Sequence, residues 1–231
     1  MKYSVVIPVF NEQENIEPLY SSLKDVMNFL GQEYEIIFVN DASTDGTLEI
    51  LRFLAATDKN IVLILFEKNK GQSAAFEKGF NAACGDIIIS LDGDYQNDPA
   101  DIPKLLDKLK TGYDVVCGWR KNRKDRLIVK ILSKIANLSR QILLREKIHD
   151  VSCSLRAYKK ETLKGIIFKN EMYYMLTATL FSRGYKVGEV EVKHLPRESG
   201  NSKFSVIKKI QSSMLFFKYF FIKNHYQSRK D

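Results

Sequence analysis

Short apolar runs, rich in β-branched residues, alternate along the chain with longer segments in which apolar residues recur every three or four positions. The short runs are typical of buried strands, and the longer segments are typical of amphipathic helices. Repeated strand–helix units predict an α/β protein whose right-handed, doubly wound, mostly parallel central sheet is flanked by helices. Strands are predicted over 3–9, 34–40, 61–66, 86–91 and 113–117, and helices over 14–30, 45–56, 72–83 and 100–111.

The pattern changes from about residue 118, where a basic loop interrupts the regular alternation. Because the sequence has no internal repeat and no linker rich in Pro, Gly or Ser, we expect a single domain over 1–204, followed by an amphipathic tail over 205–231. The later elements are predicted as helices over 126–144 and 171–182 and strands over 155–158 and 186–192.

Two carboxylates, Asp92 and Asp94, follow directly after the apolar run of residues 86–91. That run is typical of a central strand, and the ligands of parallel sheets gather at the carboxyl ends of strands. Gly93, between the two acids, lets another group approach the backbone closely. The pair suits a hard divalent cation whose other ligands are phosphate oxygens, which points to a nucleoside diphosphate. The alternative is a loop whose acids simply face water.

Composition narrows the class of protein. The 231 residues are enough for one large domain, and no stretch reaches the roughly 18 apolar residues that span a bilayer. The sequence starts without a signal-peptide pattern, and three separated cysteines have neither disulfide nor zinc spacing, so we expect a protein of the reducing cytoplasm. The net charge of +8 predicts an anionic partner, which is a nucleic acid, a phospholipid surface or a phosphorylated substrate.

Further candidate ligands follow the other predicted strands, at the same edge of the sheet. Asp41, after the second strand, could accept hydrogen bonds from a base N–H or a ribose hydroxyl, whereas residues 43–45 are typical of a helix cap. Lys68, Lys70 and Gly71 come at the start of a predicted helix, where backbone N–H groups favour anions. This edge is therefore the expected ligand site.

Several motifs occur together and in order along the chain. The first three, over 4–12, 39–47 and 91–96, resemble the donor-site motifs of family 2 glycosyltransferases with the GT-A fold. More narrowly, the chain resembles dolichol-phosphate mannose synthases and their bacterial polyprenyl-phosphate relatives. The motifs that carry this narrower resemblance lie over 118–125, 133–137, 149–158 and 197–204.

The resemblance, which extends from residue 3 to about residue 204, implies a nucleotide-sugar half over 1–117 and an acceptor half over 118–204. It implies an inverting enzyme that moves a hexose-type sugar from a GDP- or UDP-linked donor to a polyprenyl phosphate, undecaprenyl or dolichyl. Asp92 and Asp94 would hold Mg²⁺ or Mn²⁺ against the diphosphate, and Arg197 would close over it from a mobile loop. The implied nucleotide-sugar residues are Pro8, Phe10, Glu12, Val39, Asp41, Lys70, Asp92, Gly93, Asp94, Gln96 and Arg197.

Basic residues are implied on the acceptor side. In the resembled enzymes, arginines of this region hold the phosphate of the acceptor lipid; Arg120 matches them well, and Arg123, Arg126 and Lys130 match approximately. Polar residues at helical spacing share one face of the helix predicted after residue 126. That face is either part of the phosphate site or merely a solvated surface.

The expected chemistry needs no strong base, because a polyprenyl phosphate is already anionic near neutral pH. Asp94 is the first candidate for a catalytic residue, since its removal should impair metal and diphosphate binding. Asp150 is the second candidate, either as an orienting carboxylate or as a purely structural one. His149 and His194 show no ligand pattern, and ordinary structural roles are predicted for both.

The tail combines aromatic and aliphatic residues with lysines, which is typical of a helix lying at a membrane interface among anionic headgroups. The alternative is a helix that packs on the body of the protein or against another subunit in a homo-oligomer. We therefore expect a protein peripherally associated with the inner face of the membrane, either alone or through a small membrane-anchored partner protein. No nucleic-acid partner is expected, because a cationic patch alone does not need an acid pair at a strand end.

Two other functions stay open at the level of sequence. The first is a soluble glycosyltransferase that elongates a glycan and uses a sugar hydroxyl as acceptor. The second is a non-catalytic module that binds anionic surfaces. The sequence identifies neither the sugar nor the base of the nucleotide.

Overall fold

The computed structural model describes residues 1–121, 148–166 and 172–196. Within these residues seven strands form one sheet, and six of them run in the same direction. The prediction of a doubly wound, mostly parallel sheet is confirmed. The strands are β1 (Tyr3–Val9), β2 (Tyr34–Asn40), β3 (Ile61–Leu65), β4 (Ile87–Ser90), β5 (Val115–Trp119), β6 (Arg156–Lys159) and β7 (Val187–Glu191).

The helices lie close to their predicted bounds. The predicted helix over 100–111 starts instead as a 3-10 turn, Pro99–Asp101, because prolines at its start cannot donate a backbone hydrogen bond. The predicted helix over 171–182 is divided into a 3-10 turn, Met172–Met175, and a shorter α-helix. The α-helices are α1 (Gln13–Leu30), α2 (Thr47–Thr57), α3 (Gln72–Ala82), α4 (Ile102–Lys110) and α5 (Leu176–Ser182). The predicted helix over 126–144 and the tail over 205–231 lie outside the described residues.

The sheet is covered on both faces. Helices α1, α2 and α4 cover one face, and α3 and α5 cover the other. All seven residues of β1 are buried, as expected for a central parallel strand that is apolar on both sides. None of the described helices is both long enough and apolar enough to cross a bilayer.

The strand order is β3-β2-β1-β4-β6-β5-β7, so the chain moves outward from β1 to β3 and then returns to β4 on the other side of β1. The β1–β2 ladder continues to the pair Val9–Asn40, but the β1–β4 ladder stops near Val6, whose carbonyl accepts from Leu91 N at 3.1 Å. Pro8 has the same orientation as Val6, so its missing N–H falls where that ladder has already ended. The two strands separate there, and this topological switch point is where doubly wound sheets bind ligands.

Candidate active site

The acid pair lies at this switch point, directly after β4. Gly93 packs against the end of β1: a Cβ on it would lie 2.7 Å from Val9 Cγ1 and 3.1 Å from the carbonyl oxygen of Pro8. The group that approaches Gly93 closely is therefore strand β1 itself. Only glycine lets the acidic loop lie against β1, which fixes Asp92 and Asp94 on either side of the contact.

Asp92 is held by neighbours from two other elements. Gln72 Nε2, in the first turn of α3, donates to Asp92 Oδ1 at 2.6 Å, and the hydroxyl of Ser154 lies beside this carboxylate. Burial, together with the negative charge of Asp94, raises the pKa of Asp92 to about 7, although the Ser154 hydroxyl and the charges of Arg120 and Arg156 act in the opposite direction. A cation bound between the two carboxylates would remove their repulsion.

The loop that carries Asp94 is attached to a distant part of the chain. Asp94 Oδ1 accepts from Gln96 N at 3.2 Å, and the carbonyl of Gln96 accepts from Leu195 N at 2.9 Å. His194 Nδ1 lies 3.3 Å from the same carbonyl, so the His194 ring also contacts the backbone of this loop. The described segment ends one residue before Arg197, and the predicted role of Arg197 lies outside the described residues.

The two carboxylates could supply part of the ligand set of a divalent metal. The described part of the chain contains no group of three His, Cys, Asp or Glu side chains that could hold a metal by itself. Asp92 and Asp94 would supply two oxygen ligands, which suits Mg²⁺ or Mn²⁺ completed by phosphate oxygens and water. The arrangement agrees with a metal that arrives with a diphosphate rather than with a metal in an all-protein cage.

The loops after β1 and β2 are joined by side chains of both. Ser43 Oγ accepts from Asn11 N at 2.9 Å, Asn11 Oδ1 accepts from Thr44 N at 2.7 Å, and Thr47 Oγ1 accepts from Glu12 N at 2.9 Å. Glu12 Oε2 also accepts from Asn15 Nδ2 at 2.7 Å. These contacts place Glu12, like Phe10 before it, at the edge of the sheet where the acid pair lies.

Backbone strain is concentrated at this same edge. Within the described residues, the non-glycine residues with positive φ are Asn11 (52°), Ala42 (58°) and Tyr95 (53°), one after each of β1, β2 and β4. Such conformations cost of order 1–3 kcal/mol each and persist where the surrounding structure enforces them, as it does at binding sites. The three loops are thus held in shape before any ligand binds.

Asp41 supports the neighbouring loop. It is buried, and its Oδ1 and Oδ2 accept from Lys70 N at 2.7 Å and Gly71 N at 2.9 Å. The Lys70 ammonium lies 4.7 Å from the centre of the Phe66 ring. The Val39 side chain, by contrast, is buried in the core under α3, so the structure does not bring it to the edge with the others.

Asp41→Asn is expected to destabilise the protein by about 1–3 kcal/mol, because an amide has one acceptor oxygen and turns an N–H donor toward the second backbone N–H. Urea denaturation would measure the free energy of unfolding, and hydrogen exchange would show faster exchange at the Gly71 amide. Asp25→Asn, at an exposed position on α1, is the matched control and should change stability by less than about 0.5 kcal/mol. Equal stabilities for the two variants would contradict this role of Asp41.

On the other side of the acid pair, Arg120 forms a two-pronged ion pair with Asp150. Arg120 Nε donates to Asp150 Oδ2 at 2.7 Å and Nη2 donates to Oδ1 at 3.1 Å, with side-chain exposures of 10% and 5%. Nη2 also donates to Ser152 Oγ at 2.9 Å. Arg120 is therefore held rigidly, and only Nη1 is not engaged by Asp150 or Ser152. The other predicted acceptor cations, Arg123, Arg126 and Lys130, lie outside the described residues.

Glu189 of β7 fixes the start of this segment. Its Oε1 accepts from His149 N at 2.7 Å and from Asp150 N at 3.2 Å, and its Oε2 lies 2.7 Å from His149 Nδ1. The His149 ring also stacks on Trp119, with ring centres 4.5 Å apart. Both histidines thus make contacts with neighbouring parts of the chain, and their ordinary structural roles stay a prediction.

Four groups that contribute to the site were not assigned a role from the sequence: Gln72, Ser154, Asn97 and Arg156. Asn97 Nδ2 donates to Ser154 Oγ at 3.0 Å, and Arg156 lies fully buried below. Ser154 and Arg156 belong to the motif over 149–158, so the family resemblance already pointed to the segment that contains them. Their position near the acid pair depends on β6 pairing with β4, which local sequence does not reveal.

Comparison with known proteins agrees with the geometry. The family model described as Glycosyl transferase family 2 matches residues 4–167. The chain belongs to this family. A relative from Yersinia pestis (strain Pestoides F), named undecaprenyl-phosphate 4-deoxy-4-formamido-L-arabinose transferase, is 39% identical over 212 residues, covering 90% of this chain. The chain spans 64% of that relative's length.

Solved structures similar to this family 2 member support the fold. Glucosyl-3-phosphoglycerate synthase from Mycobacterium tuberculosis, in complex with Mn²⁺, UDP and phosphoglyceric acid, has a TM-score of 0.67 at 24% identity, covering 85% of this chain and 71% of that one. The same enzyme in complex with UDP gives a TM-score of 0.69 at 20% identity, covering 93% and 79%. The predicted GT-A architecture is confirmed.

Proposed function

We propose that this protein transfers a sugar from a nucleoside diphosphate sugar to a polyprenyl phosphate. The observation that carries the proposal is the acid pair at the switch point of a family 2 fold, with a buried arginine–carboxylate pair beside it. The name of the Yersinia relative supports undecaprenyl phosphate as the acceptor. The strained loops after β1 and β2 supply the opposite wall of the donor site.

Asp92 and Asp94 are the proposed ligands of Mg²⁺ or Mn²⁺. When bound, the metal would neutralise the charge that develops on the departing nucleoside diphosphate. Gln72 orients Asp92 through a hydrogen bond, Ser154 lies beside it, and Gly93 keeps the loop against β1. The protein's own contribution on this side is therefore to hold two carboxylates in fixed positions before the donor arrives.

On the acceptor side, the Arg120 guanidinium would offset the charge of the lipid phosphate. Asp150 fixes its plane through two hydrogen bonds, so binding the phosphate would cost little side-chain entropy. The phosphate oxygen is already ionised and can attack the anomeric carbon directly, which gives inversion in a single displacement. We propose the same acceptor role for Arg123, Arg126 and Lys130, and for Arg197 a contact with the diphosphate.

The proposed setting is the inner face of the membrane, because the acceptor lipid resides in a bilayer. The apolar and basic composition of residues 205–231 supports surface attachment, either directly or through a membrane-anchored partner. The proposal does not specify which sugar is transferred. The relative's name specifies a derivative of arabinose, a five-carbon sugar, so a test restricted to hexoses would be incomplete.

The test incubates the purified protein with radiolabelled UDP- and GDP-sugars, Mn²⁺ or Mg²⁺, and undecaprenyl phosphate in detergent. The donor panel includes common hexoses and UDP-4-deoxy-4-formamido-L-arabinose. Label that enters the organic phase, only in the presence of metal and lipid phosphate, is the expected result. Transfer to an oligosaccharide, with none to lipid, would establish glycan elongation in its place. Binding of anionic vesicles without any transfer would favour a non-catalytic module.

A further inference from the structure

Arg156, at the start of β6, is a charged side chain in the interior of the sheet. It is fully buried, and no carboxylate among the described residues forms an ion pair with it. Nη1 makes no hydrogen bond. Burying an arginine without an ionic partner costs several kcal/mol, whereas an apolar residue of similar size would avoid that cost. The position therefore calls for an explanation beyond packing.

The hydrogen bonds of Arg156 all go to one turn. Nε donates to the carbonyl of Cys153 at 2.7 Å, and Nη2 donates to the carbonyl of Val151 at 2.6 Å. The planar guanidinium of Arg156 thus forms a fork of two hydrogen bonds to carbonyl groups of the turn of residues 150–154, and this fork fixes the turn. A lysine could reach one carbonyl but could not reproduce the fork.

Both ends of that turn contact the candidate active site. At one end, Asp150 binds Arg120, and at the other end Ser154, whose hydroxyl lies beside Asp92, accepts from Asn97. The guanidinium carbon also lies 4.7 Å from the centre of the Tyr173 ring, and Tyr173 N donates to Ser73 Oγ in the first turn of α3 at 3.4 Å. The fork therefore connects the part of the site around Asp92 with the part around Arg120.

We propose that Arg156 is a positioning residue, whose two-carbonyl fork fixes the turn of residues 150–154 and so sets the places of Arg120 and Asp92. The kinetic part of this inference rests on the proposed function. The structural part does not, because the fork and the turn exist whatever the substrate is.

The test uses a Cys84→Ser background, which leaves the two buried thiols of Cys117 and Cys153. Cys153 lies in the turn, whereas Cys117 in β5 pairs directly with Arg156 across the sheet. Labelling of Cys117 therefore reports any opening of the sheet around the substituted side chain, labelling of Cys153 reports the turn, and mass spectrometry after labelling with a thiol reagent measures both in one sample. Arg156→Lys and Arg156→Met are each expected to speed the labelling of Cys153 at least tenfold relative to Cys117. Both should lower kcat/KM for transfer to lipid phosphate at least tenfold.

Glu35→Gln is the matched control, since Glu35 is a buried charged residue at the opposite edge of the sheet, bonded to Ser4 Oγ and Cys84 N. It should lower stability without changing the Cys153 to Cys117 labelling ratio or kcat/KM. If Arg156→Met does not fold, Arg156→Lys and hydrogen exchange at the wild-type Cys153 amide decide the question, because a fixed turn exchanges only on global unfolding.

Three results would overturn the inference. The first is an Arg156→Lys variant that behaves like the wild type, since charge alone would then suffice. The second is unchanged Cys153 labelling in both variants, and the third is rapid exchange of the wild-type Cys153 amide. If the wild type transfers no sugar to lipid, the proposed function fails, yet the labelling ratio still tests the positioning of the turn.

Discussion

Asp94→Asn is expected to slow sugar transfer to lipid phosphate by about 10²- to 10⁴-fold, the largest effect of any single substitution in the site. A metal is worth several kcal/mol of transition-state stabilisation, and each 1.4 kcal/mol is about a tenfold change in rate. The asparagine keeps the shape of the side chain but removes the charge that would hold the metal. Initial rates of label entering the organic phase at saturating donor would measure the loss.

The same substitution should not weaken the fold. The charge of Asp94 is, after burial, the second cause of the raised pKa of Asp92, so ionisation of Asp92 destabilises the folded protein as the pH rises from about 4 to about 7. Asp94→Asn removes that repulsion, and the free energy of unfolding without metal should rise more at pH 8 than at pH 5. Urea denaturation at both pH values would measure this difference.

Asp107→Asn is the matched control for Asp94→Asn. Asp107 is an exposed residue of α4 that pairs with Lys110 at 2.9 Å. Its replacement should leave both transfer and stability nearly unchanged, because exposed ion pairs contribute little. An Asp94→Asn variant with transfer rates like those of this control would remove the acid pair from the mechanism.

Asp150→Asn is expected to lower the free energy of unfolding by about 3–5 kcal/mol, the largest stability effect among these variants. The Asp150 carboxylate accepts from Arg120 Nε, Nη2 and N and from Ser152 Oγ and N, all within 3.3 Å. In the variant, the N–H groups of the asparagine amide face some of these N–H and O–H donors. Arg120 also stays buried without the negative charge that balances it. Urea denaturation would measure the loss.

Kinetics at low temperature, where the variant stays folded, would separate the two roles predicted for Asp150. If Asp150 orients Arg120, the KM for polyprenyl phosphate should rise at least tenfold while the affinity for the donor nucleotide with Mn²⁺ changes little. Asp114→Asn is the control: Asp114 pairs with Lys159 at 2.8 Å, is more exposed, and should cost only about 1 kcal/mol. Unchanged KM in folded Asp150→Asn would assign it a purely structural role.

The order and type of the elements could be predicted for the first half of the chain because strand and helix periodicities there are strong and regular. Strands β1 and β2 have the bounds predicted from the apolar runs alone. The antiparallel insertion of β6 between β4 and β5 could not be predicted, since four residues, Arg156–Lys159, carry no information about their partners. Pairing at such separation is decided by tertiary packing.

The acid pair could be predicted because chain position and chemistry coincide: two carboxylates directly follow a central strand. The residues that surround Asp92 could not be predicted, because Gln72 and Ser154 come from elements far apart in sequence. For Val39 the family resemblance implied a nucleoside contact, whereas strand alternation turns its side chain under α3. Local sequence therefore predicts where the acid pair lies, whereas the fold determines which side chains surround it.

The place of β6 has a consequence for synthesis of the protein. Strand β6 lies between β4 and β5 although it follows both along the chain, so β4 keeps an unpaired apolar edge, Ile87–Ser90, until Arg156–Lys159 has left the ribosome. Unpaired edges of this kind recruit other chains. Nascent or truncated polypeptides that stop short of β6 will consequently tend to aggregate, and the cell must shield them until that short segment closes the gap.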